Sequence, residues 1–246
     1  MTLNEILPFV STAVMAAFTV FVLQRFAVRR APHFLFWGLG LAMFGAGSFA
    51  EAYLALAWNR WVFFVWYLFG AALNAGWIGH GTVYLLSRRR WVHGLTVVLI
   101  IGSLVAAGLM FQAMGRLDDS KFVLGQPISE QYRAIMPAVS AGGTVRLTTP
   151  FFNIYGLVTL VGGALWSAYL FWRKRVLPNR VIANVLIAAG ALSIGFASTL
   201  TRLGNGNYLY LGELVAAMLM FAGFLLAARP QPGEAQAAAA PAPAKS

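Results

Sequence analysis

Seven long apolar runs, each continuous and none alternating in polarity, leave this chain few ways to fold. They are approximately Ile6–Phe26, Phe34–Ala57, Val62–Leu86, Val92–Gln112, Phe151–Phe171, Val181–Leu203 and Tyr208–Ala228. A helix needs roughly 20 apolar residues to cross the hydrocarbon core of a bilayer. In lipid every backbone N–H and C=O must be paired within the structure, which leaves only helices and closed barrels. Barrel strands are about 10 residues long and alternate in polarity, and these runs do neither. The expected fold is all-α: a polytopic membrane protein built as a seven-transmembrane-helix bundle.

Little mass remains outside those runs. Only 10% of the 246 residues are charged and the mean hydropathy is +0.73, against about 25% charged in soluble domains. A separate soluble enzyme or signalling domain has no room. The net charge of +11 does not indicate a nucleic-acid partner, because the basic residues lie in short clusters between apolar runs, as orienting charges do. The chain has no cysteine, which excludes disulfides, thiolate metal sites and cysteine nucleophiles. The first run lacks a basic n-region and a small-x-small cleavage site, so no cleaved signal is expected.

The basic clusters predict an orientation. Arg25, Arg29 and Arg30 follow run 1; Arg88, Arg89 and Arg90 follow run 3; Arg173, Lys174, Arg175 and Arg180 follow run 5; the opposite short links hold only Arg60 and Arg202. The positive-inside rule then places the N-terminus outside and the C-terminus in the cytoplasm, in a cytoplasmic (inner) or plasma membrane. Trp58, Trp61, Tyr208 and Tyr210 fit an outer aromatic belt, and Trp37, Trp91 and Trp172 an inner one.

The domain reading is one transmembrane unit over 1–228, with an outer loop at about 113–150, and a disordered Pro/Ala-rich cytoplasmic tail over 229–246. In the loop, Ser129 to Met136 reads as a short interfacial helix started by Ser129 and stopped by Pro137. Ala141-Gly-Gly-Thr144 reads as a tight turn. A structured loop of this length suits the cover of a site. The pairs Phe49-Ala50 and Tyr67-Leu68 recur as Phe196-Ala197 and Tyr210-Leu211, which suggests two parallel three-helix halves joined by helix 4. Dense glycines, such as Gly45, Gly47, Gly70, Gly79 and Gly190, read as close helix packing. Pro8 and Pro150 read as helix starts, with no proline inside a span.

Glu51 and Glu213 stand inside apolar runs. Carboxylates within a span are costly and by default mark a functional site. Both fall roughly 7–10 Å below the outer surface at 1.5 Å rise per residue. Glu51 shares a stripe with Phe44, Gly47, Ser48 and Ala55, and Glu213 shares one with Tyr210, Ala216 and Met220. Helices 6 and 7 are joined by the short Gly204-to-Asn207 link, which sets Arg202 beside Glu213. Two readings stand side by side. One is an outward-facing polar pocket lined by Glu51, Arg202, Glu213, Tyr53, Tyr67, Asn153, Tyr155 and Tyr210, in which either glutamate acts as a proton-linked switch. The other is a structural Arg202–Glu213 ion pair, with Glu51 bonded to a serine or tyrosine. Asn74 and His80 are further intramembrane polar residues, read as interhelical hydrogen bonders; His80 is also the one candidate haem ligand.

No cofactor and no metal are expected otherwise. The last run has no lysine for a retinal Schiff base, no run contains aspartate, and no Gly-x-Ser-x-Gly elbow occurs. The favoured function is a non-enzymatic, receptor-like or accessory membrane protein that binds a small ligand, lipid or partner protein through the outer-half pocket. The alternative is a small proton-coupled secondary transporter using Glu51 and Glu213, and a third reading is a membrane redox or haem-binding subunit.

Overall fold

The computed structural model describes residues 3–87, 89–175, 177–202 and 208–229, without the side chains of 3–5 and 200–202. Seven helices are long and apolar enough to cross a membrane. They are α1 (Leu3–Arg29), α2 (Pro32–Leu54), α3 (Arg60–Leu86), α4 (Trp91–Met114), α6 (Thr149–Arg173), α7 (Pro178–Arg202) and α8 (Leu209–Ala227). A short helix, α5 (Ile128–Ile135), lies in the connection between α4 and α6. The Pro/Ala-rich segment after Arg229 and the 203–207 link fall outside the described residues.

Six of the seven form a ring. α1 packs on α2, α2 on α3, α3 on α6, α6 on α7, α7 on α8, and α8 closes back onto α1. α4 stands outside the ring, mainly against α3. The ring follows the order of these six helices along the chain, with α4 left out of it. Helices in lipid associate through close backbone approach rather than a hydrophobic drive. The contacts show it: Gly47 of α2 meets Gly70 of α3 backbone to backbone, Gly79 of α3 meets Gly156 of α6, and Gly190 of α7 meets Ala216 and Met220 of α8. The ring interior towards the arginine-rich end is filled by Met15, Phe18, Phe44, Ile78, Leu160 and Met220, with Phe18 stacked on Phe221 at 4.9 Å.

Three details correct the sequence reading. The first helix begins at Leu3, so Pro8 lies inside it rather than at its start. Pro8, the sixth residue of that helix, forgoes the intrahelical bond to the Asn4 carbonyl. Thr12 Oγ1 donates to the Pro8 carbonyl at 2.7 Å. The second is α3, which is not α-helical throughout: Trp66–Leu73 forms a π-helix. Its loosened carbonyls are taken by amide side chains, Asn74 Nδ2 to Gly70 O at 2.8 Å and Asn153 Nδ2 to Ala71 O at 3.1 Å. The third is α5, which starts one residue before Ser129, preceded by Pro127, and the Ser129 hydroxyl makes no capping bond. Proline's fixed φ already suits the residue before a helix. The turn at 141–144 is present, with Gly142 at φ +108.

The α4–α6 connection is a folded cap. Its Leu117, Ile128, Ile135 and Val145 share one apolar cluster with Leu54, Phe63, Trp66 and Met110 at the ends of α2, α3 and α4. Gln131 braces it from within. Its Oε1 accepts from Val123 N at 2.7 Å, and its Nε2 donates to Val123 O at 3.1 Å and Gln126 O at 2.8 Å. At the rim Arg60 Nε donates to Asp119 Oδ2 at 2.7 Å. Asp118 caps the neighbouring turn; bonds from Ser120 hold its carboxyl below the usual carboxylate range.

Candidate functional site: a capped carboxyl pair

Glu51 sits one turn from the end of α2 and is 4% exposed. Its neighbours explain its direction. Gly47 faces α3 through Gly70, and Glu51 lies one turn further along almost the same face. There the indole of Trp66 donates from Nε1 to Glu51 Oε1 at 2.9 Å. Trp66 opens the π-helix, so the widened turn and the indole–carboxyl bond belong to one local arrangement. π segments recur at functional sites.

Glu213 reaches the same place from α8. Gly212 packs against Ala197 of α7, and Phe221 against Phe18 of α1; helical spacing sends Glu213 between those two contacts, into the ring. The Glu51 and Glu213 carboxyl groups lie within hydrogen-bonding reach of each other. Two carboxyls in such contact need a proton between them, because like charges at this range cannot both persist. Oε2 of each is buried and receives no hydrogen bond from any donor among the described residues. Tyr210 is buried beside both.

The cap closes over this pair. Tyr132 of α5 packs on the rings of Trp66 at 5.7 Å and Tyr67 at 6.0 Å. Tyr67 OH and Thr149 Oγ1, at the start of α6, lie 3.1 Å apart. The pair is thus enclosed between an aromatic lid and the apolar filling of the ring. A shallow groove of about 590 Å³, lined by Phe171, Trp172, Arg173, Arg175, Pro178, Val181 and Ile182, lies at the opposite end and touches none of these residues.

The residues singled out in the sequence do not all come together. Glu51, Glu213, Tyr210 and Tyr67 come together under the cap. Tyr53 does not: it is 37% exposed on the outside of the bundle. The Arg202 side chain lies outside the described residues, and the partner that the described residues give Glu213 is Glu51. Tyr210, expected in an outer aromatic belt, is buried in the ring. Asn74 and Asn153 serve the π-helix, as described above.

Tyr155 and His80 belong to a different network. Tyr155 OH meets His80 Nδ1 at 2.6 Å, and His80 Nε2 meets Thr96 Oγ1 at 2.9 Å. Thr96 Oγ1 donates to Val92 O at 3.0 Å, so it accepts from His80 and from Tyr84 OH at 2.8 Å. Tyr84 OH in turn lies 3.0 Å from Nδ1 of the exposed His93. Both His80 ring nitrogens are therefore engaged, and neither is presented to a haem iron. No group of three His, Cys, Asp or Glu is placed to hold a metal among the described residues.

Sequence reasoning missed Trp66, Tyr132 and Thr149. The first had a signal, a tryptophan four residues before a span glycine; the other two depend on how the cap folds back. Compared with protein-family models, curated proteins and solved structures, the chain matches none of them.

Proposed function

We propose that this is a receptor-like membrane protein whose state is set by protonation of the Glu51–Glu213 pair. The cap is taken to lie on the outer side of a cytoplasmic or plasma membrane, as the arginine clusters at the other end favour. One observation carries the reading: two buried carboxyls, from opposite halves of the ring, meet directly beneath a folded cap. While they share a proton, α2 and α8 are held together and Trp66 stays seated on Glu51. Loss of that proton leaves two negative charges in contact, parts the halves and loosens the cap that rests on Trp66 and Tyr67. A small ligand or partner protein that engages the cap biases the same equilibrium, since it can shift it only through differential affinity for the two states.

The test is the protease sensitivity of the 120–127 segment of the cap, measured from pH 5 to 9 in purified protein. Wild type is expected to become more sensitive as pH rises. Glu213→Gln supplies a neutral hydrogen-bonding partner for Glu51 and is expected to lose the pH response. A response that is the same in wild type, Glu51→Gln and Glu213→Gln overturns the proposal.

A second reading, a proton-coupled carrier, is favoured by the ring order of two three-helix halves, a plan found in some transporters. Proton uptake into protein-containing vesicles, abolished by Glu51→Gln, distinguishes it from a receptor.

A further inference from the structure

Ser11 Oγ, Ser48 Oγ, Glu51 Oε2 and Glu213 Oε2 are buried and receive no hydrogen bond from an N–H or hydroxyl donor of another residue among the described residues. Ser11 is 0% and Ser48 2% exposed. Buried polar atoms are nearly always satisfied, and each exception calls for an occupant or a reason.

Helix geometry places all four. On α2, Gly47 touches α3 and Gly45 touches Met15 of α1. Ser48 falls on the arc between those two contacts, facing the ring interior, one turn from Glu51. On α1, Met15 lies against α2 and Phe18 against Phe221 of α8. Ser11 falls between these directions, again facing inward. Met15 is level with Gly45, so one turn towards the cap brings Ser11 level with Ser48. Phe18 is level with Phe221, which brings Ser11 level with the turn that carries Glu213. Helix geometry thus turns oxygen atoms of three helices towards neighbouring levels of the ring interior, and Trp66 Nε1 beside them is already committed to Glu51 Oε1.

We propose that Ser11, Ser48, Glu51 and Glu213 form a site for one small, singly charged cation of the sodium class, bound in competition with the proton of the pair. Two carboxyls and two hydroxyls make a hard, all-oxygen ligand set. Ca²⁺ takes six to eight oxygens, and Mg²⁺ keeps several waters in an octahedron; four oxygens enclosed by apolar side chains suit neither. Charge agrees: without its proton the pair carries two negative charges, and one monovalent ion restores the single net charge that the shared proton leaves. The inference rests on the reading of the pair as the protein's switch, and it makes sodium a second input to it.

The experiment is thermal unfolding of the full chain in detergent, with NaCl exchanged for choline chloride at constant ionic strength. Sodium is expected to raise the midpoint saturably, by several degrees, and lithium to substitute, while potassium does not. The half-saturating sodium concentration is expected to rise about tenfold for each unit of acidification near the titration of the pair. Ser48→Ala and Ser11→Ala, which fold without an orphaned hydroxyl, are each expected to lose most of the sodium effect. An equal rise with potassium or choline, a rise specific to calcium, or a sodium effect untouched in both serine variants overturns the site. Sodium-free protein keeps the two ideas apart. A pH response there without any sodium effect sinks only the cation site. No pH response there sinks the proton switch itself.

Discussion

Trp66 donates its indole N–H to Glu51 across 2.9 Å, joining the first turn of a π-helix to an intramembrane carboxyl. The bond ties the lid, the α2–α3 contact and the carboxyl pair into one unit, because Trp66 also carries Tyr132 of the cap at 5.7 Å. Replacing Trp66 with Phe keeps an aromatic platform and removes only the donor. The expected loss is about 1–3 kcal/mol of stability, the range for leaving a buried acceptor unsatisfied. Thermal or denaturant unfolding in detergent reads it. The difference in emission between wild type and Trp66→Phe isolates the fluorescence of Trp66, which is expected to shift with pH as Glu51 changes charge.

Gly47 and Gly70 offer a sharper packing test. A methyl group on Gly47 meets the backbone of Gly70 with no flexible side chain to move aside. Gly47→Ala is therefore expected to destabilise by roughly 1–3 kcal/mol, as overpacking does. Gly94, Gly108 and Gly162 have open space around them. Alanine there is expected to be neutral or stabilising by up to about 1 kcal/mol, the helix preference of Ala over Gly. Equal effects at all four positions are incompatible with the α2–α3 register described above.

In the cap, Gln131 and the Arg60–Asp119 pair make opposite forecasts. Gln131 makes three bonds to loop backbone, and Gln131→Ala is expected to expose the 122–127 stretch to protease at neutral pH. Asp119→Ala removes an exposed ion pair, worth about 0–1 kcal/mol in typical cases, and little change is expected. The Asp118 turn acts on the acid side only. Its carboxyl titrates below the usual range because Ser120 bonds it. That small contribution is present above the ordinary aspartate value and is lost as pH falls through the lowered one.

The His80 network calls for a conservative probe. Tyr155→Phe leaves His80 Nδ1 without its 2.6 Å partner, and a cost of about 1–3 kcal/mol is expected for an orphaned buried nitrogen. His80→Gln, which restores a donor and an acceptor, is expected to be milder than His80→Leu. Hydrogen exchange at the start of α4, where Thr96 is bonded to Val92, is the local readout.

The seven spans are legible in the sequence because bilayer thickness imposes a length and an apolar content that no fold detail can hide. The two glutamates are legible because a carboxyl in such a run is conspicuous. Their meeting is not: Glu51 and Glu213 are 162 positions apart, and only closure of the ring through α1 and α8 brings them face to face. The short link between α7 and α8 pointed to Arg202 as the partner, since local spacing favours neighbours in sequence. Trp66 carried a signal in its spacing from Gly70, but the π-helix that begins there is not written in the apolar pattern.

That last point reaches beyond the site. A π-turn is, in effect, one surplus residue threaded into an otherwise α-helical segment, and each residue of an α-helix accounts for about 100° of rotation. Everything in α3 after Leu73, His80 included, keeps its present bearing because of that surplus. Deleting the surplus residue between Trp66 and Leu73 would let the segment relax to plain α-helix with its two ends still in phase, whereas holding the full segment α-helical would swing those ends apart. In that second case Trp66 and His80 would no longer face Glu51 and Thr96 at the same time, so the two networks at opposite ends of α3 share a single phase setting.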